Sequence, residues 1–485
     1  MRFAIILTLL LVAFRLEAAP PVRHLFLDPA FLTESEGVQL RVNPPQRREV
    51  VIRADKPWEK LMISFYLTVL DDPETGTLRL WYICRDAKNR PNVAYAESTD
   101  GLTWKKPNLG IVDYEGSRDN NLVGLSSLEG AVYRDEQATT PEERYVYLTH
   151  LITKGMVRFH SPDGLHWKED DTAWLPFGAD SQAIAFRQPT AAGWAVYLRG
   201  WTKRDDGSLY RTVVRAMAPD LTTPLPIRPS EDSRRLWGKD KVAVIGDEFP
   251  TVLATDATDP ENSDVYTNSI APYPPDPRWL VGFPSFFQRE KSRGDGRLEV
   301  QCVGSRDGMT WHRYDRASYA APGFPGTENA NMMFIGPGLI VRGEEIWQYG
   351  TGFRSRHGDV AERKRQTDGV VYRFVQRIDG FVSADFDLTG GKASTRPVPV
   401  DGTSLRLNAD TGALGLLRTG LADESGQAIP GFGLEDAVPF QGNATSAEIA
   451  WKSGASLASL RGKTVTVQFS GARAKVYGFR FEKTP

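Results

Sequence analysis

Cysteine and histidine are scarce in this 485-residue chain, with two of the first and six of the second. Cys84 and Cys302 sit in separate strand-like runs, Leu80-Trp-Tyr-Ile-Cys84 and Val300-Gln-Cys302, so a disulfide would have to join two blades, and two buried free thiols are expected in its place. No H-x-x-x-H pair occurs, which argues against zinc; neither a metal nor a cofactor is expected. An excess of charge of either sign is also missing. Lys plus Arg number 59 against 61 for Asp plus Glu, so no global field draws the chain to nucleic acid or to an anionic membrane, and a neutral partner is the inference. Long apolar runs are absent after the first residues, where none reaches the roughly 18 needed for a membrane helix. Arg2, the apolar stretch Phe3 to Phe14 and Ala18-Ala19 read as a secretory signal peptide over residues 1–19, hence a secreted or periplasmic protein.

A long helical periodicity is lacking as well, and what takes its place is repetition. Ser98-Thr-Asp-Gly-Leu-Thr-Trp104, Ser161-Pro-Asp-Gly-Leu-His-Trp167 and Ser305-Arg-Asp-Gly-Met-Thr-Trp311 are three copies of S-x-D-G-x-x-W, each preceded by a strand-like run. The Asp-Gly pair provides a tight turn and the Trp an apolar plug on the return strand. Ser98 to Ser161 is 63 residues and Ser161 to Ser305 is 144, room for two units. A degraded copy, Ala218-Pro-Asp220-Leu-Thr-Thr-Pro224, fills the gap, and Asp379-Gly380 closes the series. The expected fold class is all-β: a five-bladed β-propeller over residues 20–390, followed by a β-sandwich over 391–485, where short runs such as Thr464-Val-Thr-Val-Gln-Phe469 alternate cleanly.

A propeller brings its innermost strands to one axis, so acids distant in sequence converge in a funnel. Paired carboxylates there suit glycoside cleavage, one protonating the leaving oxygen and the other attacking the anomeric carbon or activating water. Aromatics at 11% of the chain, including 12 Trp, suit stacking on sugar rings as well as core formation. Asp180, in Phe177-Gly-Ala-Asp180-Ser-Gln182, opens a strand after a glycine turn and reads either as a cap or as a funnel carboxylate. Arg199, in Tyr197-Leu-Arg199-Gly-Trp201, is a charge embedded in an apolar aromatic run, paired either with a funnel acid or between blades. Trp201, His150 at a strand end, His357 in a polar loop and Tyr266 complete the expected substrate-binding set. Asp264, before Tyr266, is a further carboxylate weighed for the funnel. Asp100, Asp163 and Asp307 are turn formers.

A secreted propeller followed by a sandwich resembles the invertase and levanase type of glycoside hydrolase (the family 32 clan) and is similar to the arabinanase and xylosidase propellers (family 43). In such enzymes a nucleophilic Asp lies in W-x-N-D-P-N-G, which Phe26-Leu-Asp28-Pro29 resembles in part. A stabilising Asp in R-D-P falls on Arg134-Asp135-Glu136, with Glu in place of Pro. The acid/base Glu of E-C has no literal counterpart, and Glu248 and Glu328 are the candidates. The resemblance implies a monomeric glycoside hydrolase with catalytic residues drawn from Asp28, Asp135, Asp180, Glu248 and Glu328 and a neutral carbohydrate as substrate. The alternatives are a non-catalytic glycan-binding propeller and a sialidase, whose similar hairpin carries a spacer that this repeat lacks.

Overall fold

The computed structural model describes residues 21–483, apart from 126–128, 205–206, 236–241 and 291–293; the expected signal peptide lies outside the described residues. Almost all regular structure among the described residues is β, with two short α-helices, Glu231–Arg235 and Val360–Arg365. Aromatic and β-branched runs supply the strands: Leu80-Trp-Tyr-Ile-Cys84 falls in Thr77–Arg85 and is buried, with Cys84 and Cys302 both free thiols.

Three four-stranded antiparallel meanders follow one another. The first comprises Met62–Asp72, Thr77–Arg85, Pro91–Ser98 and Leu122–Val123; the second Ala131–Arg134, Tyr145–Leu151, Gly155–Ser161 and Lys168–Glu169; the third Ile184–Arg187, Trp194–Lys203, Leu209–Ala218 and Thr251–Leu253. The next strands do not divide into two further separate sheets. A single parallel pair, Leu298 with Met332, merges them into one eight-stranded sheet, and Ser269, at φ 43, breaks the innermost run so that Ile270–Pro272 starts a three-stranded offshoot. Gln46–Ile52 pairs with Val370–Arg377, so an early strand completes the last sheet of the ring.

Contacts between the innermost segments run in a circle. Val132 N–H donates to Thr68 Oγ1 at 3.2 Å, Ala183 N–H to Glu129 O at 2.8 Å, Ser181 Oγ to Tyr266 O at 3.1 Å and Thr351 Oγ1 to Phe65 O at 3.0 Å. At one end of this axis an apolar cavity of about 370 Å³ is lined by five segments, around Val69, Val132, Ala185, Ala271 and Leu339. The arrangement is a propeller of sheets about a common centre.

The repeated heptapeptides clasp these sheets together. In each copy the Asp carboxylate accepts the backbone N–H groups two and three residues on, as Asp100 does from Leu102 at 2.8 Å and Thr103 at 2.7 Å. That turn leaves the Gly carbonyl facing the preceding sheet of the ring. Gly101 O accepts from Tyr349 Oη at 2.9 Å, Gly164 O from Trp81 Nε1 at 2.7 Å and Gly308 O from Tyr197 Oη at 3.1 Å. All three glycines have φ near +71, and a Cβ on Gly101 would lie 2.6 Å from Tyr349 Oη and 2.8 Å from Trp347. Glycine is demanded by both backbone angle and close approach. Asp379-Gly380 is not another copy. Here Asp379 itself has φ 60, and its carboxylate holds Tyr273 Oη at 2.7 Å and pairs with Arg23.

The C-terminal strands, from Val382–Phe386 to Lys475–Glu482, form one ten-stranded sheet folded around a separate core that includes Phe26, Leu407, Val467 and Phe479. Ser404–Ala422 makes the fold possible: its first half pairs with Lys475–Glu482, its second with Thr464–Ala472, with bulged pairing between. His24–Leu25, Leu32–Glu36 and Val38–Val42 belong to this sheet and not to a propeller sheet, so the boundary expected at residue 390 does not separate the two sheet systems.

Candidate active site

Opposite the apolar cavity, the starts of the innermost strands surround a polar one of about 240 Å³, lined by residues that include Ser64, Tyr66, Arg85, Glu129, Asp180, Tyr266 and Arg363. A larger cleft of about 540 Å³ lies on the outer edge of the first sheet, but its charges are spent on one another, as in Lys88–Glu115 and Arg90–Asp86. On the axis, this polar cavity takes carboxylates from the starts of two sheets, Glu129 and Asp180.

Glu129 and Asp180 lie at the starts of neighbouring sheets. Each stands just before an innermost strand, and Gly130 and Ala183 form a parallel bridge that brings the two starts side by side. Glu129 pairs with His150 Nδ1 at 2.7 Å. Asp180 has φ 42, a left-handed conformation that Asp tolerates better than most side chains. Arg199 holds it there: the guanidinium donates to the Asp180 carbonyl, meets its carboxylate at 3.2 Å and donates to Tyr266 O at 2.6 Å. The same guanidinium carbon lies 4.4 Å from the centre of the Tyr266 ring, a cation–π contact in a dry setting.

The Asp180 side chain is 39% accessible, yet this surface faces a narrow cavity walled by protein. Desolvation there raises its pKa above the ordinary 3.8, Glu129 adds to the rise, and Arg199 opposes it. Asp180 is thus easier to protonate than a solvated aspartate, and Glu129, with His150 against it, lines the same cavity.

Tyr266 has a fixed hydrogen-bond direction. His357 Nδ1 is 2.7 Å from Gly294 O, which can only accept, so Nδ1 carries the proton and Nε2, 2.7 Å from Tyr266 Oη, accepts from the phenol. Burial, reinforced by Arg211, Arg363 and Arg199 and opposed by the Gly294 bond, lowers the His357 pKa to about 4. The ring stacks on Phe65 at 5.5 Å. Behind it Asp264 is wholly buried between Arg211, at 3.0 Å, and Arg289.

Of the expected residues, Asp180 and Tyr266 line this cavity, while Arg199, His357 and His150 stand behind it, against Asp180, Tyr266 and Glu129 respectively. Trp201 lies behind it, against Arg211 at 5.1 Å. The other four acids are elsewhere. Asp28 caps the turn Pro29–Phe31, accepting from Ala30 N–H at 3.0 Å, and sits with the C-terminal sheet. Asp135 follows the far end of the strand that Glu129 precedes and is held by Arg187 at 2.8 Å. Glu248 ties its own loop, accepting from Ser230 N–H at 2.8 Å and Gly246 N–H at 2.7 Å. Glu328 pairs with Arg53 on an exposed edge. Asp264 is a structural counterion, with no opening to the cavity. Glu129, Tyr66, Arg85 and Arg363 escaped sequence reasoning, although Glu129 precedes its strand much as Asp180 does.

No protein-family model matches the chain, and no curated protein matches its sequence. Among solved structures it is similar to a glycoside hydrolase (12% identity, TM-score 0.45, 69% of this chain and 92% of that one). It is also similar to a family 43 arabinoxylan arabinofuranohydrolase from Bacillus subtilis in complex with cellotetraose (10%, TM-score 0.37, 88% and 97%). A third is an N-acetylgalactosamine deacetylase from F. plautii in complex with blood group B trisaccharide (11%, TM-score 0.40, 90% and 95%). These likenesses assign no residue roles to this chain.

Proposed function

We propose that the protein is a secreted glycoside hydrolase acting on a glycan that enters the axial cavity. The observation that carries this reading is the pair of carboxylates, Glu129 and Asp180, presented from the starts of neighbouring innermost strands to one space, with Asp180 easier to protonate than a solvated aspartate. In hydrolysis the glycosidic C–O bond breaks as Asp180 gives its proton to the leaving oxygen, while Glu129 supplies the electron pair on the other side, directly or by taking a proton from the attacking water. Tyr66 and Tyr266 line the cavity from buried positions, and His357 fixes the phenol of Tyr266. The apolar leader at residues 3–14 is the reason for placing the activity outside the cytoplasm.

The test is release of reducing sugar from a panel of nitrophenyl glycosides and plant and algal polysaccharides. Asp180→Asn and Glu129→Gln should each lower kcat/KM by about 10²–10⁴-fold on any substrate the wild type cleaves. The ion pair between Arg199 and Asp180 favours a second reading, a glycan-binding propeller in which the carboxylates accept sugar hydroxyls. Tight glycan binding with no bond cleavage by wild type would select it.

A further inference from the structure

The axial cavity carries more cation than its acids consume. Seven arginines are buried among the described residues: Arg79, Arg158, Arg199, Arg211, Arg215, Arg363 and Arg373. Five of them have a carboxylate within ion-pair distance, in Asp72, Glu143 with Asp170, Asp180, Asp264 and Glu49. Arg215 is spent in a seam between sheets, on Asp307 O at 3.1 Å and Gln188 Oε1 at 3.2 Å. Arg363 differs: it is 8% exposed, lines the cavity and has no ion-pair partner among the described residues.

Arg363 is nonetheless aimed. Its Nε donates to Ser355 Oγ at 2.9 Å and its Nη2 to Arg356 O at 2.8 Å and His357 O at 2.6 Å, all neutral acceptors, and it lies 5.7 Å from the Phe65 ring centre. The nearby Asp368 directs its oxygens to the backbone N–H groups of Arg354 and Ser355, and Asp359 accepts from Glu362 N–H. Across the cavity Arg85 bonds, among the described residues, Asn89, through its carbonyl at 3.2 Å and its side chain at 3.4 Å. Glu129 is engaged with His150 and Asp180 with Arg199. Two guanidinium groups thus reach the same space, one from the end of the strand Thr77–Arg85 and one from the helix Val360–Arg365, with no carboxylate in ion-pair contact among the described residues and longer-range attraction from Glu129 and Asp368, an arrangement that a bound anion would complete.

We infer that Arg363 and Arg85 recognise an anionic substituent on the sugar, a carboxylate or a sulfate ester, and so make the glycan acidic. Arg85, bonded through Nη1 alone, keeps its Nε–Nη2 fork for paired oxygens, and Arg363 keeps Nη1 as a further charged donor. This deepens the reading of the cavity as a sugar site and rests on it. It also replaces the neutral partner inferred from overall charge, which sums the whole surface and says nothing of one cavity.

Titration calorimetry of the purified protein with D-glucuronate, N-acetyl-D-glucosamine 6-sulfate and D-glucose tests the inference. At least one anionic sugar should bind roughly tenfold or more tightly than glucose. Preference for glucuronate identifies the carboxylate, and preference for the sulfated sugar the sulfate ester. Arg363→Gln and Arg85→Gln should each bring the ratio towards one, with Arg363→Lys retaining part of it. Equal affinity for glucose, no binding of either anion, or an unchanged ratio in a folded Arg363→Gln protein would overturn it; if that variant fails to fold, Arg85→Gln decides. Anion preference without cleavage of any glycan would remove the hydrolase reading and leave this one standing. Cleavage of neutral glycans without anion preference would do the reverse.

Discussion

Replacing Gly101 by Ala tests the idea that the repeated turns hold the propeller sheets together. Two costs are combined at this position. The backbone sits at φ +72, where an L side chain costs about 1–2 kcal/mol. The new Cβ would also stand 2.6 Å from Tyr349 Oη and 2.8 Å from Trp347, so the turn must withdraw from the neighbouring sheet. Withdrawal strands the buried Tyr349 hydroxyl that now donates to Gly101 O at 2.9 Å, a further loss of about 1–3 kcal/mol. Gly76 is the control, at φ +65 in the same sheet with nothing within 4 Å of its would-be Cβ. Urea unfolding followed by tryptophan fluorescence should show Gly101→Ala losing about 2–5 kcal/mol and Gly76→Ala about 1–2 kcal/mol. Equal losses in the two variants would refute docking as the reason for the glycine and leave only the turn.

Acid should weaken the fold through two histidines. Burial lowers both His24 and His357 to about 4, while an unfolded histidine titrates near 6.5. Between those values the unfolded chain binds protons that the folded chain refuses, so the stability they hold is complete above pH 6.5 and is lost as pH falls towards 4. Urea midpoints across that window should fall less steeply in a His357→Gln variant, and their NMR ring signals should not titrate above about pH 5. Asp264→Ala leaves Arg211 and Arg289 without their shared buried counterion and should cost about 3–5 kcal/mol in the same unfolding assay.

The strands and turns of the propeller are legible because each is a local statement: an apolar run, an Asx turn, a glycine at positive φ. Circular closure is not local. Gln46–Ile52 pairs with residues more than 300 positions away, and His24–Leu25 with the final strand, and nothing within either segment names its partner. For the same reason Phe26-Leu-Asp28-Pro29 resembles a catalytic motif while lying against the C-terminal sheet: the motif was partial, and its surroundings are set by residues near Phe479. Arg199 and Asp180 could be read because a charge inside an aromatic strand and an acid at a strand start both require an explanation. Glu129 offered the second signal only. Its importance lies in the Gly130–Ala183 bridge, a pairing across sheets that no spacing announces.

The dependence of kcat/KM on pH, measured for wild type and Asp180→Asn on one cleaved glycan, tests the proposed chemistry most directly. If Asp180 is the acid, wild-type activity falls with rising pH through a pKa above the ordinary carboxylate value of 3.8, and the variant loses that alkaline limb together with about 10²–10⁴-fold of activity. An unchanged limb, or a variant as active as wild type, would contradict the account.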